Sequence, residues 1–180
     1  MTTPNPEHVN RLINVINNAP YFQLLSMKIL EIGIGYSVTE INLTDKHLNP
    51  FGGAHGGVFS SIIDSAASWA LFYGVEDENA GLASVNLNLN YLSPAKEGKL
   101  IAEGRQIKLG KTLGYALCKV SDTTGKLLAH GTLTVMIIPG HILAYPPGNH
   151  RQCRLHQKGQ PFVNRPHCHF PQRCIRHLYR

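Results

Sequence analysis

Between His55 and Glu76 the chain carries one charged residue, Asp64, and no proline. From Gly56 to about Phe72 the apolar residues Val58, Phe59, Ile62, Ile63, Ala66, Ala67, Ala70 and Leu71 recur at the three- and four-residue spacing of a helix. The opposite stripe of Ser60, Ser61, Asp64, Ser65 and Ser68 is narrow and lacks the Lys and Glu of an ordinary solvated face. Such a helix must be covered on most of its sides, which excludes a simple surface helix and calls for a broad partner such as a sheet. The stripe also poses a chemical question, because a carboxylate in apolar surroundings costs free energy unless it is paired or used.

The rest of the chain can supply that sheet. Residues 24–43 read as strand, with the Gly33/Gly35 interruption predicting a bulge or bend within one long strand. After Gly81, Val85, Leu87, Leu89 and Tyr91 alternate with Ser84, Asn86, Asn88 and Asn90, the pattern of a half-buried strand whose polar side is uncharged. Further strands fit 99–109, 112–122 and 126–138, joined by the glycine-containing turns at 109–112 and 122–126. Upstream, Val9, Leu12, Ile13 and Ile16, with Pro4 or Pro6 near the start, predict a short amphipathic helix ending near Asn17. One helix, one strand region, a long helix and then four strands argue an α+β fold with an antiparallel sheet packed on the long helix.

The formal charge of +6 suggests an acidic partner only until it is located. Residues 1–140 hold ten Lys and Arg against all eleven acids, whereas residues 141–180 hold the other seven and no acid. The same 141–180 stretch has five of the eleven prolines and six of the ten histidines, without periodicity. We therefore expect one domain at 1–140 and a basic, Pro/His-rich extension at 141–180 that is poorly ordered. Its arginines have no RNA-binding aromatic pattern or helix-turn-helix around them, so nucleic acid is not an expected partner. Its Cys153, His156, Cys168, His169 and Cys174 lack the paired spacing of a structural zinc site, and no metal is expected. Cys118 alone in the domain builds no disulfide framework, which fits a reducing compartment. No secretory apolar region and no 18-residue apolar run are visible. The expectation is a soluble, cytoplasmic protein without a membrane span, with mitochondrial association left open.

Several residues could carry chemistry. Gly56 and Gly57 after His55 permit close approach of a ligand to a helix start whose first N–H groups lack internal acceptors, or they permit tight packing of helix on sheet. Asp64 could activate water or attack a carbonyl, or it could be hydrogen-bonded to the neighbouring serines. His55 fits a substrate-orienting or a structural role, and Asn49 before Pro50 fits a turn. No Ser-His-Asp order, HExxH, Walker loop or GxGxxG is present, so the residues alone define a candidate hydrolase and no more.

The segment NPFGGAHGGVFSSIIDSAASWA resembles the N-x5-HGG-x6-D-[ST]-A signature of the PaaI-type hotdog-fold acyl-CoA thioesterases, and ASVNLNLNYLSPAKEGK resembles a strand segment of their small eukaryotic relatives. The likeness runs from about residue 8 to 138. It implies a hotdog fold, a long central helix wrapped by a five-stranded antiparallel sheet, in dimers whose sheets join and which pair into a homotetramer. It implies hydrolysis of acyl-CoA without a cofactor. Asp64 would be nucleophile or general base, the Gly57 N–H would polarise the thioester carbonyl, Asn49 and His55 would sit beside it, and Ser84 would help to place water. Gly56 and Ser65 would adjoin the substrate, with Lys96, Lys108 and Lys111 as candidates for the nucleotide end of CoA. Asn49, His55 and Gly57 of one chain would face Asp64 and Ser84 of its partner. The rival expectations are a hotdog dehydratase or hydratase, whose His and acid pattern is not matched, and a non-catalytic acyl-CoA-binding protein or inactive isoform.

Overall fold

The computed structural model describes residues 6–75 and 80–139. The long helix, α3 (Gly56–Phe72), has the predicted bounds and buries Val58, Phe59, Ile62, Ile63, Ala66, Ala67, Ala70 and Leu71. Ahead of it come α1 (Pro6–Asn17), α2 (Pro20–Leu24), and the hairpin of β1 (Met27–Gly33) and β2 (Tyr36–Asn42). After it come β3 (Gly81–Tyr91), β4 (Lys99–Leu109), β5 (Leu113–Ser121) and β6 (Leu127–Ile138). All strands pair antiparallel in one sheet of order β1-β2-β4-β5-β6-β3, and α3 lies against it chiefly at β2, β4 and β5.

The sheet has six strands, not the expected five, because residues 24–43 form two strands instead of one bent strand. Gly33 pairs directly with Tyr36 across a two-residue turn, and Gly35 takes φ 76°, where a side chain would be strained. The bulge lies earlier, at Leu30 between the paired Ile29 and Glu31, and it lets Ile29 and Ile32 both point into the core. Residues 20–24, at the border of that region, are helical, with Pro20 at the helix start.

β1 is an edge strand, and its open side is partly covered from α1. The Asn17 side chain donates through Nδ2 to the Ile29 carbonyl at 3.0 Å and accepts through Oδ1 from the Ile29 N–H at 2.7 Å, as a neighbouring strand would. β3 is the other edge and pairs only with β6.

What lets α3 sit so close to the sheet is small side chains on both sides. A Cβ on Gly104 of β4 would collide with the Ala66 carbonyl and the Ala67 nitrogen, so backbone meets backbone there. Ser37 of β2 donates to the same Ala66 carbonyl at 2.6 Å while itself buried. Around this contact Ile62, Ile63, Leu71, Leu100, Val120 and Leu133 are fully enclosed, each contributing about 2 kcal/mol of hydrophobic stabilisation.

Cys118, which pairs with Gly104, is buried, and its thiol is pushed up to about 12 by desolvation, with the nearby Glu103 carboxylate adding to the shift. Among the described residues no group of three His, Cys, Asp or Glu side chains is arranged to hold a metal, and no helix is long and apolar enough to cross a membrane. The expected extension at 141–180, with its cysteines and histidines, lies outside the described residues.

Two outcomes are expected. Gly104→Ala should lower the unfolding free energy by about 2–4 kcal/mol in urea titrations, because neither backbone can move aside cheaply. Cys118 should resist alkylation at pH 8 in the folded protein and react on unfolding, read by peptide mass mapping.

Candidate functional site

Asp64 sits about two turns into α3, on the serine stripe, and is half-buried rather than enclosed. Its partner is not one of the neighbouring helix serines. Ser60 and Ser61 hydrogen-bond back to the Gly56 and Gly57 carbonyls, as serines within helices do. The Ser84 hydroxyl of β3 instead donates to Asp64 Oδ1 at 2.6 Å. A charge-assisted bond of this kind fixes one carboxylate oxygen and leaves the other available.

The sequence alternation places Ser84 on the face opposite Leu87 and Leu89, yet Leu82, Ser84 and Leu87 all turn toward α3. The reason is a β-bulge between Ser84 and Asn86, where Val85 is left unpaired and 58% exposed. Bulges re-aim side chains, and this one aims a hydroxyl at a carboxylate.

The pair opens on a cleft of about 500 Å³. Ser60, Ser61, Ser65 and Ser68 form its polar wall with Asp64. Phe22, Trp69, Phe72, Leu82 and Leu87 form its apolar walls, with Trp69 and Phe72 tilted against each other at 5.0 Å. Tyr21 closes one side through a 2.7 Å hydrogen bond between its hydroxyl and that of Ser61. Sequence reasoning missed Tyr21 and Phe22, although Pro20 directly before them marks a helix start.

A second set of candidates gathers at the N-terminal end of α3. Asn49 Oδ1 accepts from the N–H groups of Phe51 at 2.9 Å and Gly53 at 3.3 Å, so that atom must be the oxygen and the amide nitrogen is left as a donor. His47, fully buried and not anticipated, holds the loop. Its Nδ1 accepts from the Thr44 N–H at 2.9 Å, its Nε2 donates to the Leu25 carbonyl at 2.7 Å, and its own carbonyl accepts from the His55 N–H at 2.8 Å.

His55 caps α3, and its Nδ1 accepts from the Gly57 N–H at 2.9 Å. This corrects the expectation of a helix start without internal acceptors, since the Gly57 amide is held by the side chain two residues before it. Gly57 is otherwise open, whereas a Cβ on Gly56 would fall 2.9 Å from the Tyr91 hydroxyl. Packing therefore explains Gly56, while a Cβ on Gly57 would meet only the His55 imidazole, at 3.0 Å.

The two sets do not meet within one chain. Gly57 precedes Asp64 by seven residues of helix, about 10 Å along its axis. Asn49, His55 and Gly57 are absent from the walls of the Asp64 cleft. Ser65 is in those walls.

The lysines divide as well. Lys96 is exposed beside Ala95, whose carbonyl accepts from the Ala54 N–H at 2.7 Å, at the start of α3. Lys108 and Lys111 are exposed near Leu109, which lies against Gly74 beyond the helix's other end. Within the chain they form no single cationic patch.

Residues 51–129 match the family described as Thioesterase superfamily. Acyl-coenzyme A thioesterase 13 of Mus musculus is 30% identical over 132 residues, which are 71% of this chain and 93% of that protein. The chain thus belongs to the thioesterase superfamily, and its architecture is the hotdog fold. Also similar is 1,4-dihydroxy-2-naphthoyl-CoA hydrolase of Listeria monocytogenes, 27% identical over 64% of this chain and 93% of its own. The crystal structure of zebra fish thioesterase superfamily member 2 superposes with a TM-score of 0.64 at 26% identity, covering 71% of this chain and 96% of that one.

Trp69 is the single tryptophan of the protein. If the cleft admits an aliphatic chain, decanoic acid should change the intrinsic emission saturably, and Trp69→Phe should abolish the signal. An emission spectrum unmoved at saturating probe would close the cleft to such chains.

Proposed function

We propose that the protein hydrolyses acyl-CoA thioesters to the free acid and CoA. The observation that carries this reading is the Ser84–Asp64 hydrogen bond, set in a half-buried cleft with apolar walls on a member of the thioesterase superfamily. With one oxygen held by Ser84, the other Asp64 oxygen accepts a proton from water as that water attacks the thioester carbon. The carbon–sulfur bond then breaks, and the proton passes to the departing thiolate. Alternatively Asp64 attacks directly, and the resulting anhydride is hydrolysed. Single turnover in ¹⁸O-labelled water separates the two, since an anhydride opened at the Asp64 carbonyl leaves label in that residue.

In either course negative charge develops on the carbonyl oxygen. The Gly57 N–H, turned from His55 Nδ1 to the substrate, and the Asn49 amide nitrogen, whose oxygen is already used within its own loop, would supply donors for that charge. The 10 Å between Gly57 and Asp64 on one helix leaves the donors to come from a second copy.

The β3 edge supports that assembly. Gly81–Tyr91 contains no Lys, Arg, Asp, Glu or Pro, the usual guards of an open edge, and it leaves Val85 exposed. Two β3 strands paired across a two-fold axis would join the sheets into a dimer, and the resemblance extends this to a tetramer. His55 and Asn49 flank the carbonyl, Gly56 and Ser65 adjoin the acyl group, and the acyl chain lies toward Trp69 and Phe72. Lys96 shares the α3 start with Gly57 and is the best placed lysine for the CoA phosphates. Lys108 and Lys111 would have to reach that end from the other subunit.

Asp64→Ala should cut kcat for acyl-CoA hydrolysis by about 10³-fold while circular dichroism is unchanged, and Ser84→Ala by about 10-fold. Full turnover in Asp64→Ala would end the proposal, and binding without turnover in the unaltered protein would favour the non-catalytic reading. Mixing Asp64→Ala with Asn49→Ala chains should restore about a quarter of wild-type activity, because hybrid dimers contain one intact site. No recovery on mixing would place both residue sets in one chain's site.

A further inference from the structure

The hydroxyls along the Asp64 cleft fall into two groups once their partners are assigned. Ser60 donates to the Gly56 carbonyl at 3.0 Å, and Ser61 donates to the Gly57 carbonyl at 2.8 Å, which leaves Ser61 to accept from the Tyr21 hydroxyl at 2.7 Å. Ser84 is engaged by Asp64. Ser65 and Ser68 line the same cleft, and neither hydroxyl makes a hydrogen bond among the described residues.

Small size does not account for Ser68. Where α3 needs only a small buried side chain it carries alanine, at Ala66, Ala67 and Ala70, and alanine is also the better helix former. Ser65 adjoins Asp64 at the reacting end of the cleft. Ser68 lies one turn further on, about 6 Å along the axis, on the same side of the helix as Asp64 and next to Trp69. An aliphatic chain running from Asp64 toward Trp69 and Phe72 would pass Ser68 after about five carbon–carbon bonds. A saturated chain there would shut water from a hydroxyl and give it nothing in exchange, whereas an oxygen on the chain would restore the bond.

We propose that the preferred substrates are acyl-CoA thioesters whose chain carries a hydroxyl or ketone oxygen near C6, and that Ser68 is the residue that selects them. This rests on the reading of the protein as an acyl-CoA hydrolase with the acyl chain in the Asp64 cleft. The Ser68 hydroxyl donates to either kind of oxygen, and from a chain hydroxyl it also accepts. A site that pairs a substrate hydroxyl with its own penalises the analogue lacking it, because one polar group is then left alone.

The test is a cycle on the full-length chain, with 6-hydroxydecanoyl-CoA and decanoyl-CoA each given to wild type and to Ser68→Ala. Wild type should show a kcat/KM about five-fold higher for the hydroxylated chain. Ser68→Ala should lower kcat/KM for 6-hydroxydecanoyl-CoA about five-fold and raise it for decanoyl-CoA about two-fold, reversing the preference with circular dichroism unchanged. Ser68→Thr keeps the hydroxyl and should keep the preference. An equal effect of Ser68→Ala on both thioesters overturns the proposal, as does a wild type that prefers decanoyl-CoA. Binding is read separately, from Trp69 emission with 6-hydroxydecanoic and decanoic acids. If wild type hydrolyses neither thioester, the proposed function fails, and the ratio of the two acids' affinities, lowered by Ser68→Ala or not, still decides whether Ser68 selects an oxygenated chain.

Discussion

The contact between Gly104 and the backbone of α3 at Ala66 sets the geometry of everything around it. A helix that lies backbone to backbone on a sheet cannot slide or roll without a collision, and the Ser37 hydroxyl on the Ala66 carbonyl fixes its rotation further. That rotation decides which residues face β3. Asp64 is two residues before Ala66, so its approach to Ser84 follows from how α3 is seated, and the cleft is the space left where α2 and β3 diverge from the helix.

The opposite ends of the carboxylate stripe are built by different means. At Asp64 the geometry depends on a bulged strand, a deviation from regular pairing that turns one hydroxyl inward. At Gly57 it depends on a loop pinned by the buried His47 imidazole and by Asn49. The first is held by the sheet and the second by polar groups that satisfy one another. A rigid core therefore carries the carboxylate, and a hydrogen-bonded loop carries the start of α3.

Much of this was legible in the residues, for physical reasons that also mark where legibility ended. The bounds of α3 followed from its spacing and the absence of proline, and the last three strands from their glycine turns, because those signals are local. The β1–β2 hairpin is not distinguishable from a bent strand in sequence, because two glycines two residues apart are compatible with either shape and only the pairing partner decides. The five-residue α2 is too short to show periodicity. Ser84 illustrates the limit at the site, since strict alternation sends it to the wrong face and the unpaired Val85 has no signature in sequence. Its link to Asp64 was reached through resemblance. Tyr91 read as one more apolar position in an alternating strand, and its hydroxyl acquires meaning only beside a glycine 35 residues away.

The His55–Gly57 bond has a consequence for recognition. An amide that already donates to an imidazole nitrogen is not waiting in water for a partner, so any ligand there would have to make an exchange instead of a capture. The net gain is the difference between two acceptors, which is small for a neutral carbonyl and grows as that oxygen becomes anionic. An internal competitor of this sort weakens the hold on the resting substrate more than the hold on its transition state. On the proposed reading, the cap that completes the helix would also act as a filter, favouring the charged oxygen over the neutral one.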